Sequence, residues 1–361
     1  MTTSRRFAPA ALAAALALAG CASFDGSKPQ SQLRDANTLA AARTLEAGAA
    51  ASQWPADGWW KGFRDPQLDA LIEEATRESP ALAVAQARVR RADALARAAG
   101  ASLQPRVDAN VGITEQLFSK NSIYPPPFAG SWDTQNQATL DFSYEFDFWG
   151  RNRANLRAAL GEAKAAQVDA DAARLMLSVA IAQAYVELTR DYAQLDVEKA
   201  TLEQRVKLHE LTAQRYAAGL DSKVEVKQAE TALPQSRERI ARLEEFIALG
   251  KNRLAALVGA GPDRGLEIHR PAAQPVAVGL PARLPADLIG RRPDVVAQRL
   301  RVEAASANID AAKAAFYPNI SLSAFVGFQS IGLDKFIQSG STIAGVGPAL
   351  SLPVFEGGRL R

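Results

Sequence analysis

The sequence predicts a mainly α-helical chain that also carries membrane β-strands: one long antiparallel helical hairpin and four amphipathic strands. Three observations lead there. Residues 152–218 contain no proline and a single glycine, Gly161. A segment near the start recurs at a constant offset of 213 residues, and four short stretches alternate apolar with polar residues.

At about 1.5 Å per residue the glycine-poor stretch makes a helix of roughly 100 Å, too long for a small domain. Ile181, Leu188, Leu195 and Leu202 recur every seven residues, with Val179, Val186, Ala193 and Ala200 as a second series. Gly219 suits a left-handed helix end, and Ser222 with Glu225 forms a capping box that starts a return helix. This gives a hairpin, 152–218 and 222–258. On the return, Val226, Leu233, Ile240, Ile247 and Leu254 form one heptad series, and Ala229, Ser236, Leu243, Gly250 and Leu257 another, so both arms require coiled-coil partners. Pro234 inside the return helix predicts a bend. His209 continues the first series and reads as a seam or surface residue.

The repeat aligns Pro80–Pro105 with Pro293–Pro318. The two prolines match, as do Arg88/Arg301, Val89/Val302, Ala92/Ala305, Ala94/Ala307, Ala98/Ala311, Ala99/Ala312 and Ala101/Ala314. After each copy come an alternating strand, a loop, a second strand and a Gly-Arg pair, Gly150-Arg151 or Gly358-Arg359. A duplicated unit explains this order. It predicts helices at 81–104 and 293–316 and strands at 106–115, 137–148, 319–328 and 342–353. A helix at 66–78 precedes the first copy.

Leu140, Phe142, Tyr144, Phe146 and Phe148 fall on one face of the second strand, and Thr139, Asp141, Ser143, Glu145 and Asp147 on the other. In the first strand Val107, Ala109, Val111 and Ile113 alternate with Asp108, Asn110 and Gly112; in the third, Ile320, Leu322, Ala324 and Val326 alternate with Ser321 and Ser323. Strands of this length suit the wall of a transmembrane barrel, which needs about 9–11 residues per strand. Asp108, Asn110, Thr139, Asp141, Ser143, Glu145, Ser321 and Ser323 are then the candidate pore-facing positions. Four strands cannot enclose a pore, so several chains would have to contribute.

The N-terminus supplies an address. Arg5 and Arg6 precede an apolar run from Ala8 to Ala19, too short to span a bilayer, and then Leu18-Ala19-Gly20-Cys21. This is a lipobox, which predicts removal of residues 1–20 and lipid on Cys21, the chain's one cysteine. Ala22 is not an aspartate, which points to the outer membrane. Without Arg5 and Arg6, 40 basic residues face 39 acidic ones. Basic and acidic residues alternate along the helices, so no nucleic-acid partner is expected. Two histidines, His209 and His269, and a lipid-bound cysteine give no catalytic constellation, no metal site and no cofactor site.

With these residues in hand the chain resembles the outer-membrane factor family, the TolC-like efflux and secretion channels, in its lipidated NodT type. The resemblance rests on Trp60–Ala75 (WKGFRDPQLDALIEEA), Arg215–Glu230 (RYAAGLDSKVEVKQAE), Arg291–Pro318 (RRPDVVAQRL to FYP) and Gly347–Arg359 (GPALSLPVFEGGR). It implies a homotrimer with a twelve-stranded β-barrel and a periplasmic α-barrel, acting as a passive exit duct for small molecules such as drugs. It also implies partners: a periplasmic adaptor, an inner-membrane pump of the RND type, and outer-membrane lipid. The hairpin tip Ala218, Gly219, Leu220, Asp221 and Ser222 matches the family's adaptor-docking turn. Trp59, Trp60 and Phe63 read instead as packing anchors beneath the first helix. A lipid-anchored periplasmic coiled-coil scaffold, or an adaptor without a pore, is the alternative that the four strands argue against.

The organisation is therefore a signal peptide (1–20), a lipidated tether and equatorial segment (21–63), a first repeat (64–258), a connector (259–285) and a second repeat (286–361). In the first repeat the Gly-Arg pair is followed by the hairpin; in the second it is followed by Leu360 and Arg361. The repeat thus predicts a second hairpin that this chain lacks, and with it the inner constriction that the family resemblance implies there.

Overall fold

The structure, a computed structural model, describes residues 57–121, 123–273 and 290–360. The lipobox with Cys21, most of the tether and most of the connector lie outside them. Four strands and six α-helices follow one another in the order α1 (Pro66–Glu78), α2 (Pro80–Ala101), β1 (Arg106–Leu117), β2 (Trp132–Phe146), α3 (Arg151–Ala217), α4 (Lys223–Val258), α5 (Pro262–Leu266), α6 (Pro293–Ala314), β3 (Asn319–Ile331) and β4 (Thr342–Ser351). Two compact units share these elements: one holds Arg90–Ala165 and Gln298–Arg361, the other the described part of Asp35–Val89 with Ala166–Ala297.

The first unit is built on a four-stranded antiparallel sheet in the order β1-β2-β3-β4. Val107 pairs with Phe142, Leu140 with Val326, and Val326 with Ala344. Side chains alternate sides along a strand and directly paired residues share a side, so this register puts Val107, Phe142, Ala324 and Val346 on one face. β2 begins at Trp132, five residues before the predicted start, because Asp133–Gln137 pair with β1 and β3 although their side chains do not alternate in hydropathy. β4 ends at Ser351, two residues ahead of Pro353, which has no N–H to give to a ladder.

Small residues bring the helices of this unit together. α3 packs antiparallel to α6, and a Cβ added at Gly161 would lie 2.9 Å from the Ala304 Cβ. Ala154, Ala158, Ala165, Ala304 and Ala311 are buried along the same contact. Arg157 meets Asp310 at 3.4 Å on its rim. α2 ends at Ala101, earlier than the predicted 104, where residues 102–104 turn through 3-10 hydrogen bonds; α6 likewise ends at Ala314.

The second unit contains the apolar core. Leu68, Leu71, Ile72 and Ala75 of α1 pack on Ile181, Tyr185, Leu188 and Leu195 of α3 and on Ile247, Leu254 and Val258 of α4, with Ile268 beyond. Burial of each large aliphatic side chain stabilises by about 1.5–3 kcal/mol. Trp59, Trp60 and Phe63 lie in a 3-10 turn against this core, in edge-to-face contact. Only one heptad series of α3 is covered: Ile181, Leu188 and Leu195 are buried, while Val179 and Val186 are exposed within this one chain. The helical pattern of α4 runs on through Pro234. Glu198–Arg239, Lys199–Glu244 and Glu187–Arg253 ion pairs link the two arms.

A polar clasp closes this unit. Asp65, 4% exposed, caps α1 by accepting the Gln67 N–H at 3.0 Å, and also accepts the Tyr185 hydroxyl at 2.7 Å and the Ala272 N–H at 2.8 Å. Gln67 donates to the Tyr185 oxygen and the His269 carbonyl and accepts the His269 N–H. Burial, with the Asp65 carboxylate alongside, pushes the Tyr185 phenol well above its ordinary pKa. The group stays a neutral donor throughout the physiological range.

The tight α3–α6 contact yields a measurable expectation. Gly161→Leu forces a large side chain into space filled by Ala304, and overpacking of this kind costs about 1–3 kcal/mol. Thermal unfolding of purified protein should shift downward for Gly161→Leu, whereas Gly219→Asn, at a turn open to solvent with positive φ, should leave the transition nearly in place.

Candidate functional site

The sheet has two chemically distinct faces. Arg106, Asp108, Asn110, Gln135, Gln137, Thr139, Asp141, Ser143, Glu145, Ser321, Ser323, Phe325 and Gln329 share one of them by register. All eight polar strand positions singled out from the sequence are therefore brought together. The opposite face carries Val107, Val111, Leu140, Phe146, Val326, Val346 and Leu350, all of them exposed. Such separation by chemistry, with large aliphatic side chains left open, is what a sheet between hydrocarbon and water requires. Among the described residues no helix is long and apolar enough to cross a membrane.

Charges on the polar face are organised locally. Asp108 and Asp141 are directly opposed, an arrangement that repels, and Arg106 offsets it by pairing with Asp108 at 2.6 Å. Thr139 donates to Asp141 at 2.7 Å and Asn110 does so at 2.8 Å. Glu145 accepts from Arg151 at 2.7 Å and from Asn152 at 3.1 Å, tying the end of β2 to the start of α3. Asp147 completes that junction by accepting the N–H groups of Asn152 and Arg153 at 3.0 and 2.9 Å. Burial works against its charged form, but these two N–H bonds and the Arg153 guanidinium prevail and hold the carboxyl below its usual range.

Sequence reasoning missed two features. Phe325 has the parity of Ser321 and Ser323, so it lies on the polar face; continuing the alternation two residues further would have found it. Trp149 stacks on Tyr317 with centroids 4.6 Å apart and donates its indole N–H to the Pro318 carbonyl at 2.8 Å. With Tyr144 and Phe146 these rings cluster at the helical end of the strands, where an aromatic girdle would sit.

The hairpin tip is a hydrogen-bonded turn. Gly219 has φ 72°, and the Leu220 N–H bonds back to the Arg215 carbonyl at 2.9 Å. Arg215 grips Asp221 through Nε at 2.8 Å and Nη2 at 3.0 Å. The Ser222 hydroxyl accepts the Val224 N–H and contacts Glu225, whose carboxylate accepts the Ser222 N–H at 2.9 Å. Around this frame Tyr216, Leu220 and Val224 are left exposed. His209 is half-buried on α3, and among the described residues no group of three or more His, Cys, Asp or Glu could hold a metal ion.

Comparison with known proteins places these features in context. The sequence matches the family model described as outer membrane efflux protein over residues 71–260 and 284–361. It is 43% identical to the fusaric acid resistance protein FusA of Burkholderia cepacia over 99% of this chain and 68% of that one. It is 34% identical to the multidrug resistance outer membrane protein MdtP of Escherichia coli O157:H7 over 86% of this chain and 65% of that one. The outer membrane protein VceC of Vibrio cholerae superimposes with a TM-score of 0.79 at 42% identity, covering 85% of this chain and 73% of that one. CusC superimposes with a TM-score of 0.75 at 26% identity, over 86% of this chain and 70% of that one. The chain thus spans about two thirds of the length of the curated relatives it matches.

The tip geometry fixes a pH response. The Arg215 guanidinium holds the Asp221 carboxyl below its ordinary value, and hydrogen bonds from Ser222 do the same for Glu225. A lowered folded-state pKa gives stability that is present above the unfolded value and lost as pH falls through the folded one. Protection of the Leu220 amide against hydrogen exchange should therefore hold steady from pH 7 to 5 and drop below about pH 4. Asp221→Asn should lower it already at pH 7; unchanged protection in that variant would remove the ion pair from the account of the tip.

Proposed function

Because this chain belongs to the outer membrane efflux protein family, we propose that it contributes the wall of an outer-membrane exit duct for small molecules. One observation carries this reading: four strands whose register gives the large aliphatic side chains other than Ile331 and Ile343 to one face and every charge but one, Glu115, to the other. The aliphatic face meets lipid and the polar face lines water. β1 and β4 have one neighbour each, so further copies must supply the rest of the barrel, three copies giving twelve strands. Passage is passive and calls for neither a catalytic group nor a cofactor. The energy comes from an inner-membrane pump, reached through a periplasmic adaptor docked at Ala218–Ser222, where the clamped turn presents Tyr216, Leu220 and Val224.

A charge scan tests the assignment of faces. Leu140 lies midway along the aliphatic face of β2, and a cation at the bilayer midplane of a barrel costs about 2–4 kcal/mol. Leu140→Lys should abolish assembly in the outer membrane, while Ser323→Lys on the polar face should assemble normally. Equal assembly of the two would mean a sheet that is not embedded in lipid.

Lipid attachment at Cys21 is the second part of the proposal, supported by Arg5 and Arg6, the apolar run and Leu18-Ala19-Gly20 before it. Cells fed radioactive palmitate should label the protein, and Cys21→Ser should lose the label. Persistence of label in that variant would remove the lipid anchor from this position.

A further inference from the structure

The polar face of the sheet is not smooth. A recess of about 540 Å³ opens among Gln137, Thr139, Asp141, Phe325, Gln329 and Ile343. Two glycines account for it. Gly327 stands between Thr139 and Ile343 in the register and between Phe325 and Gln329 along β3, so the centre of the recess has no side chain. Its backbone runs so close to β2 that an added Cβ would meet the Ala138 carbonyl oxygen at 2.0 Å. Gly345 does the same for the aromatic wall: the Phe325 ring lies over it, and a Cβ there would come within 2.5 Å of the ring.

The walls of this recess are chemically biased. Asp141 receives hydrogen bonds from Thr139 and Asn110, both on Oδ2, and Oδ1 takes none among the described residues. Among the described residues no basic side chain pairs with this carboxylate. Arg106, the cation on that face of the strands, is paired with Asp108, and neither β3 nor β4 contains a charged residue. Directly across from Asp141 stands Phe325, whose ring offers a negative π-face to a cation. A carboxylate, an aromatic ring, two amides and one aliphatic side chain around a space of this size suit a small organic cation with an apolar body.

We propose that this recess is a binding site for aromatic organic cations, with Asp141 supplying the charge, Phe325 the ring contact, and Gly327 and Gly345 the room. The proposal rests on the polar face being the water-lined side of the sheet. It makes the channel wall a resting place for cationic solutes instead of a neutral surface, and it excludes anions of the same shape.

All of the lining residues belong to one chain, so binding is measurable on purified protein in a neutral detergent whether or not the protein conducts. Benzyltrimethylammonium is the probe, benzenesulfonate its anionic counterpart, and saturation-transfer NMR titration the readout. Wild-type protein should bind the cation and not the anion. Asp141→Asn, which keeps the acceptor for Thr139 and Asn110, should weaken the cation at least about five-fold, and Phe325→Leu at least about three-fold. Asp133→Asn, an acid on the same face outside the recess, should leave binding unchanged. Absence of cation binding to wild type, equal binding of the anion, or wild-type affinity in both recess variants would each overturn the proposal. The Leu140→Lys and Ser323→Lys pair tests the embedding of the sheet separately, so a failure of the channel reading is distinguishable from a failure of this one.

Discussion

The open edges of a four-stranded sheet govern the rest of this molecule. In hydrocarbon every backbone N–H and C=O left without a partner costs several kcal/mol, so a sheet with an aliphatic outer face is stable there only when its edges are joined. β1 and β4 are the two edges, and each leaves a row of such groups. β4 contains Pro348, a residue tolerated in an edge strand, and the sequence breaks the ladder two residues before Pro353.

Two kinds of packing serve the two units. Where α3 meets α6 the interface is made of alanine and glycine, so the helix axes approach closely and stability comes from dispersion contact rather than from large buried side chains. Where α1, α3 and α4 meet, leucine, isoleucine and a tyrosine fill a conventional core, and the Asp65–Tyr185–Gln67 clasp pairs the tyrosine hydroxyl with the polar groups at the start of α1. The clasp also fastens residues 268–273 to the beginning of α1, 202 positions away in the case of the Gln67–His269 bond. Removing one member would leave a buried donor or acceptor unpaired, which costs more than the bond itself contributes.

Much of this was legible in the sequence, for identifiable reasons. The period of two from Thr139 to Phe148 and the heptads in α3 and α4 are strong signals because one face of each is predominantly apolar. The start of β2 was not legible: Asp133, Gln135 and Gln137 have the polarity of a loop, and only pairing with β1 and β3 makes them strand. Phe325 was passed over because a single aromatic in a polar series looks like an exception to the pattern, whereas the structure shows its ring resting on Gly345. The heptads could say that α3 wants partners on two sides, but not that α4 covers the Ile181–Leu188–Leu195 side and leaves Val179 and Val186 bare. The glycine cap and the capping box of the tip were readable, since they depend on local sequence alone, but the Arg215–Asp221 clamp across them was not.

Pro234 has a consequence for how the hairpin can move. A proline in a helix has no N–H for the carbonyl four residues earlier, and the surrounding turns are loosened. Here Arg205 reaches across from the other arm and donates to the Ala232 carbonyl at 3.0 Å and to the hydroxyl of fully buried Ser236 at 2.7 Å, on either side of the proline. The guanidinium acts as a detent. Sliding one arm along the other by a single turn, about 5.4 Å, would pull the cation off both acceptors and strand it against a buried serine. Relative translation of the arms is thereby blocked at low energy, while tilting of the pair as one body is not. Arg205 thus fixes the register of the two arms at the one place where the backbone ladder of α4 is interrupted.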